Sequence, residues 1–199
     1  MIKPILTIMI PTTIDRKEMF LGLMEEIQIQ VYQHDLLGEV EVIWNEDDKQ
    51  KSVGRKRQLL LEEAKGEWVV GIDSDDWIHE DYIKDILLSL KENPNTDHVG
   101  FLEECDIDGE KSLSIFSIRH KVWDEKKDGY DHIRCANPKS VIRRTKALEV
   151  GYQDLRYSED RIFSEAVTPL LTSEVFINKP LYIYRYTSTP HNERYGIKD

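Results

Sequence analysis

The sequence predicts an α/β fold on a mainly parallel central sheet. Two observations carry that prediction. From the N-terminus to Asn93, short apolar runs alternate with amphipathic stretches, the pattern of strands joined by crossover helices. Within that alternation, residues 68–72 (Trp-Val-Val-Gly-Ile) are continuously apolar, as strands covered on both faces are, and the run breaks into three carboxylates, Asp73, Asp75 and Asp76. Ligands of open α/β sheets sit beyond the carboxyl ends of the strands. The acids stand where a site belongs.

Taken in order, residues 5–10 read as a buried strand stopped by Pro11-Thr12-Thr13. A helix is predicted over 16–33, because Met19, Phe20, Leu23, Met24, Ile27 and Val31 keep the spacing of one apolar stripe, and Thr13 or Asp15 can cap it. Residues 39–44 make a second strand, with Asn45-Glu46-Asp47-Asp48 at its carboxyl end. Ser52 caps a helix over 53–65 that Gly66 closes. Its first turn carries Arg55, Lys56 and Arg57, which oppose the helix dipole; an anion bound there would offset that, though a solvated basic turn reads the same way.

Beyond the acids, a helix over 80–93 is broken by Pro94, and strands at 98–102 and 113–118 flank a hairpin-type turn at Asp108-Gly109. Residues 121–133 are polar and irregular and are expected to be a loop. A short strand at 139–143 and a brief helix, capped by Thr145 and ended by Gly151, come next. A helix over 160–171, two last strands at 175–177 and 181–186, and a polar tail over 187–199 complete the expectation.

The 199 residues suit one domain, and 40% hydrophobic with 33% charged residues is globular composition. With 38 acidic against 27 basic residues the net charge is −11, which argues against a broad nucleic-acid-binding face. The sequence has no run of 18 apolar residues and no signal-peptide pattern, so a soluble, cytoplasmic protein without a transmembrane segment is expected. Cys105 and Cys135 lack metal-type spacing and read as free thiols of a reducing compartment.

Asp73 and Asp75 are two apart, so in an extended segment they point to one side and can share a hard divalent cation, Mg²⁺ or Mn²⁺. A solvated acidic turn is the ordinary alternative. A second acidic group, Ser158-Glu159-Asp160-Arg161, opens the helix at 160, where carboxylates also suit the dipole.

In combination and in order, these segments resemble a compact family 2 glycosyltransferase of the GT-A fold, as found in phage and bacteria. The resemblance covers nearly the whole chain. It rests on Ile8-Met9-Ile10-Pro11-Thr12-Thr13, on Val53-Gly54-Arg55-Lys56-Arg57 with Ala64-Lys65-Gly66-Glu67, and on the DXD motif in Asp73-Ser74-Asp75-Asp76. Residues 137–144 resemble the acceptor-side strand, Ser158-Glu159-Asp160-Arg161 the ED motif that holds the catalytic base, and residues 181–186 the closing strand. Where many members carry two aspartates and a Gly-Ser pair after strand two, this chain has Asn45-Glu46-Asp47-Asp48.

The resemblance implies a single domain, with 1–97 binding the nucleotide sugar and 98–186 facing the acceptor. It implies substrate contacts from Pro11, Thr12, Thr13, Arg16, Asn45, Lys56, Arg57, Asp73 and Asn137. The expected metal ligands are Asp75 and Asp73, with His191 of the tail as the third, for Mn²⁺ or Mg²⁺. Asp160, with Glu159 beside it, is the expected general base, and one base opposite the leaving group implies inversion. The expected donor is a UDP-sugar, and the expected acceptor a hydroxyl on a glycan or lipid-linked saccharide. Hydroxymethylated DNA bases are an alternative acceptor, and a non-catalytic sugar-nucleotide-binding module an alternative function. A nucleotidyltransferase would want a Gly-rich basic loop after the first strand, which Pro11 to Arg16 do not supply.

Overall fold

The computed structural model describes residues 3–127 and 129–186. It opens with β1 (Leu6–Thr13), a 3₁₀ turn (Ile14–Arg16), α1 (Lys17–Gln33), β2 (Val40–Asp47), α2 (Val53–Glu63) and β3 (Trp68–Gly71). A two-residue β4 (Trp77–Ile78), α3 (Tyr82–Glu92), β5 (His98–Ile107) and β6 (Glu110–Phe116) follow. The chain continues through β7 (Glu125–Lys127), β8 (Tyr130–Arg134), β9 (Val141–Arg143), α4 (Arg144–Val150) and α5 (Glu159–Val167) to β10 (Glu174–Tyr186).

Among the described residues these strands form one sheet, ordered β2-β1-β3-β9-β5-β6-β8-β7, with β10 pairing with β5 and β4. The expected mainly parallel α/β sheet is present: β2-β1-β3 run parallel, as does the longest ladder, β5–β10. β9 enters antiparallel between β3 and β5. Alternation along β1 divides the core. Leu6, Ile8 and Ile10 pack with Leu23 and Ile27 of α1 and Ile83 and Ile86 of α3. On the other face, Met9 and Val69 pack with Leu60 and Leu61 of α2, Ala147 of α4 and Phe163 of α5. Helices on both faces leave the carboxyl ends of β1, β2 and β3 side by side and open.

Several expectations change. The polar stretch 121–133 is not all loop: β7 and β8 form a hairpin, and β8 extends the sheet beside β6. Its strands carry too few apolar residues to show the period, because they lie at the sheet's margin. The two predicted final strands are one, β10, with register shifts between Ile177 and Pro180 and between Pro180 and Tyr182. Proline cannot donate a ladder hydrogen bond, so the strand bulges there rather than ending. The last helix stops at Val167 and tightens into a 3₁₀ turn at Thr168–Leu170, with Pro169 in its first positions. Neither Thr13 nor Thr145 caps by its side chain: α1 is entered through the 3₁₀ turn, and Thr145 lies inside α4. Gly66 lies beyond the end of α2, whose C-cap is Ala64, and lets the chain pass β1; a Cβ there would stand 2.6 Å from the Thr7 nitrogen.

Candidate active site at the ends of β1 and β3

Past β3, Ile72 still bonds the sheet through its N–H to the Met9 carbonyl at 3.0 Å. The chain then turns, with the Asp76 N–H donating to the Asp73 carbonyl at 3.0 Å. Asp73 and Asp75 therefore do not share one side of an extended segment, as the spacing alone suggested. Each acid has its own cation. Asp73 Oδ1 lies 2.6 Å from Arg57 Nη2. Both oxygens of Asp75 face Arg16, Oδ1 3.0 Å from Nη1 and Oδ2 3.0 Å from Nη2. Asp76 points inward, accepting from the Tyr182 hydroxyl at 2.7 Å and from the Arg185 N–H at 3.1 Å, with Lys139 Nζ 3.0 Å away.

The electrostatics differ accordingly. Burial opposes the charge on Asp73, but Arg57, Lys139 and Arg16 outweigh it and hold the carboxyl below the usual range. Burial raises Asp75; Arg16 opposes the rise and Asp73 adds to it. Burial pushes Asp76 up to about 7 despite Lys139, because Asp73 and Asp75 stand close. Lys139 remains a cation in the interior, its pKa raised against burial by Asp76, Glu103 and Asp73.

Arg57 joins the two acidic groups. Its side chain is 6% exposed and its Nε lies 3.3 Å from Glu159 Oε1, at the first residue of α5. Burial, with Asp160 next to it, raises the Glu159 carboxyl, and Arg57 works against that rise. Two glycines make room. A Cβ on Gly71 would stand 2.9 Å from Arg57 Nη1, and one on Gly54 would stand 1.9 Å from the Gln153 carbonyl oxygen. The N-terminus of α2 is accordingly covered. Ser52 Oγ accepts from the Arg55 N–H at 3.0 Å, as the sequence predicted, and the Leu155 carbonyl accepts from the Gly54 N–H at 3.1 Å. Both of those donors have protein acceptors, and Lys56 and Arg57 turn away from the helix start, to Asp47 and Asp73.

Asp160 is half-buried on the first turn of α5, where Oδ1 accepts from the Arg161 N–H at 2.8 Å. Ser158 before it holds a left-handed backbone, φ 66°, which a serine adopts only under local constraint. Asn137 is buried, and its Oδ1 accepts from the Lys139 N–H at 2.9 Å. Its Nδ2 has no protein partner among the described residues. The same turn fixes β3, since the Pro138 carbonyl accepts the Gly71 N–H at 2.7 Å. Asn45 pairs in register with Pro11, and its buried Oδ1 is also unpartnered among the described residues.

A cleft of about 300 Å³ opens at the end of β1 and the start of α2, lined by Pro11, Thr12, Thr13, Arg16, Lys56 and Arg156 among others, and Arg16 links it to Asp75. Thr12 presents a buried hydroxyl without a partner among the described residues. Lys56 Nζ sits 2.5 Å from Asp47 Oδ1 and 2.5 Å from the Thr12 carbonyl, so the acid of the 45–48 group that matters structurally is Asp47. The second strand runs past the expected end at 44, and Asp47 is its last residue. Sequence reasoning missed Asp47, Lys139 and Tyr182 as supports. Only Asp47 had a signal, its place in the acidic group that ends β2; the other two lie far from the acids in sequence and meet them through the turn before β9 and through β10.

For a metal, Asp75 and Asp73 offer hard oxygen donors suited to Mg²⁺ or Mn²⁺, cations commonly held by one or two carboxylates plus substrate phosphates. Among the described residues no group of three or more His, Cys, Asp or Glu is arranged to hold an ion. Asp73 and Asp75 are the expected ligands that fall among the described residues, and His191 lies outside them.

Comparison with known proteins agrees with this architecture. The chain is 26% identical over 159 residues to EpsH of Bacillus subtilis (strain 168), named as a glycosyltransferase; the match covers 74% of this chain and 46% of EpsH. TarS of S. aureus (residues 1–349) superposes with a TM-score of 0.61 at 15% identity, covering 90% of this chain and 60% of that one. TarS in complex with UDP-GlcNAc gives 0.61 at 14% identity, covering 93% and 59%. The mannosyltransferase PcManGT of Pyrobaculum calidifontis, solved with GDP-Man and Mn²⁺, gives 0.52 at 11% identity, covering 91% and 56%. The chain spans about half the length of the curated relative it matches. Among the described residues no helix is long and apolar enough to cross a membrane. The family model for glycosyl transferase family 2 matches residues 26–148, more than half of the sequence and inclusive of α2, β3 and the acids that follow; the chain belongs to that family.

Proposed function

We propose that this chain is a single-domain, inverting glycosyltransferase that moves a sugar from a nucleoside diphosphate donor, UDP-linked, to a hydroxyl of a glycan or lipid-linked saccharide. The observation that carries this reading is the meeting of the two acidic groups through Arg57, with Arg16 linking Asp75 to the cleft at the end of β1. Sugar transfer needs charge stabilisation at the departing diphosphate and a base for the acceptor proton, and the two groups answer those needs separately. The fold likeness to TarS, solved with UDP-GlcNAc and with UDP, supports a uridine donor.

In this reading Thr12, Thr13 and Arg16 hold the nucleotide, with Pro11 and Asn45 behind them and Lys56 fixing the loop. Asp73 contacts the donor while Arg57 fixes its orientation, and Asn137 offers its unpartnered amide at the acceptor side. Asp75, with Asp73, would hold Mg²⁺ or Mn²⁺, which when bound neutralises the diphosphate. Asp160 takes the proton of the acceptor hydroxyl, and the Glu159–Arg57 pair fixes the start of its helix. A base facing the donor from the side opposite the diphosphate gives inversion.

A thermal-shift screen of nucleoside diphosphate sugars, with and without Mn²⁺, tests the reading. A ligand at 100 times its dissociation constant stabilises by about 2.7 kcal/mol, a shift of several degrees. The expected result is stabilisation by a UDP-sugar that grows with Mn²⁺, followed by release of UDP. No stabilisation by any member of the set overturns it.

A further inference from the structure

We propose that Arg16 and the divalent cation exchange places on Asp75. In the metal-free protein the guanidinium occupies the carboxylate; cation binding releases it to the donor's diphosphate. The inference rests on the reading of Asp75 as a metal carboxylate.

Four observations support it. First, the pair is bidentate: both Asp75 oxygens face an Arg16 nitrogen at 3.0 Å, so the lone pairs a cation would use are engaged. Second, the pair is open, with side chains 44% and 32% exposed, and exposed ion pairs are weak enough for a divalent ion to displace. The neighbouring pairs are of another kind. Lys56 with Asp47 is buried on both sides, and Arg57 with Asp73 and Lys139 with Asp76 each have a deeply buried partner and a further contact. Third, Arg16 also lines the cleft, with Thr12, Thr13, Lys49 and Lys51, so a released guanidinium already has a place in the pocket. A planar fork that fits a carboxylate fits a phosphate equally well. Fourth, Arg16 ends a 3₁₀ turn held between β1 and α1, so the exchange is a side-chain movement on a fixed backbone.

The other cations named in the site have fixed partners: Lys56 holds Asp47 and the Thr12 carbonyl, and Arg57 holds Asp73 and Glu159. Arg57 also faces an expected metal carboxylate, Asp73, but it is buried and shared with Glu159, whereas Arg16 is open to solvent on Asp75. Exchange makes cation and diphosphate cooperative. The cation removes the partner that keeps Arg16 from the phosphates, and by linkage the phosphates, by drawing Arg16 away, raise the affinity for the cation.

The test uses the full chain and two variants, Arg16→Gln and Asp75→Asn, with two binding readouts. Mn²⁺ alone is titrated and followed by the electron paramagnetic resonance signal of the free ion; UDP is titrated calorimetrically in EDTA and in saturating Mn²⁺. Arg16→Gln is expected to bind Mn²⁺ about threefold or more tightly than the parent, because its competitor is gone. With Mn²⁺ bound, the same variant is expected to bind UDP about fivefold or more weakly than the parent, and to lose less in EDTA, where the parent's Arg16 rests on Asp75. Asp75→Asn is expected to lose Mn²⁺ binding and to bind UDP in EDTA more tightly than the parent, because Arg16 is released. Unchanged or weaker Mn²⁺ binding by Arg16→Gln overturns the exchange, as does unchanged UDP binding with Mn²⁺ in Arg16→Gln or unchanged metal-free UDP binding in Asp75→Asn. If the parent itself shows no Mn²⁺-dependent gain in UDP affinity, the metal reading of Asp75 fails first, and a gain in the parent without the Arg16→Gln effects fails the exchange alone. Melting temperatures of the variants are expected to stay near the parent's, since the pair is exposed.

Discussion

Arg57 Nε stands 3.3 Å from Glu159 Oε1, and the same guanidinium holds Asp73 at 2.6 Å. One side chain of α2 thereby ties the end of β3 to the start of α5. Removing a member of a buried ion pair leaves the partner charge uncompensated, at a cost of about 3–5 kcal/mol. Arg57→Met is therefore expected to lower the unfolding free energy from urea denaturation by that amount and to abolish donor binding. A change under about 1 kcal/mol would mean that Arg57 is not the tie.

Gly54 is the companion to that tie. A Cβ there would meet the Gln153 carbonyl oxygen at 1.9 Å and Glu159 Cβ at 3.1 Å, and the Gln153 backbone cannot rotate away as a side-chain tip would. Gly54→Ala, otherwise favourable in a helix, is expected to destabilise by about 1–3 kcal/mol or more and to shift residues 153–158. Calorimetric melting and transfer rate together check it: stabilisation by the substitution would show that the loop is not packed on α2.

Asp160 carries the proposed chemistry. Asp160→Asn keeps shape and hydrogen bonding but cannot accept a proton, so transfer is expected to fall about 10²-fold or more with donor affinity near normal. If Asp160 served only to start the helix, Asn would substitute with little effect on turnover. Normal turnover would move the base to Glu159, which lies against Arg57.

Asp76 gives a pH signature. Burial raises its carboxyl from 3.8 to about 7. A group with a raised folded pKa contributes stability below its unfolded pKa and loses it as pH rises through the folded value. The parent should thus lose the Asp76 contribution between about pH 4 and pH 7, while Asp76→Asn has none to lose. The melting temperature of Asp76→Asn relative to the parent is expected to climb across that window. A difference that is flat with pH would remove Asp76 as the titrating group.

Much of this was legible beforehand. The β1–α1–β2–α2–β3 order followed from runs whose period is local, and the Ser52 cap from one side chain three residues from its donor. Asp108-Gly109 turned as predicted, with φ 53° and 88°, because the dipeptide itself permits it. Asn45-Glu46-Asp47-Asp48 was ambiguous in sequence. Only the packing of Lys56 beneath β1 singles out Asp47.

What the sequence determined by itself was therefore the alternation, the place of the acids at the end of β3, and the second acidic group at the start of α5. These are properties of neighbours along the chain. Only the tertiary structure decided which cation each acid meets. Arg16, Arg57 and Lys139 are 59, 16 and 63 residues from Asp75, Asp73 and Asp76, and nothing in local spacing chooses among them. The choice is made by the β1–β3 register, by Gly71, which leaves room for Arg57, and by the turn before β9, which brings Lys139 against the Tyr182 ring. Coulomb attraction falls with distance in space, and the fold alone sets that distance.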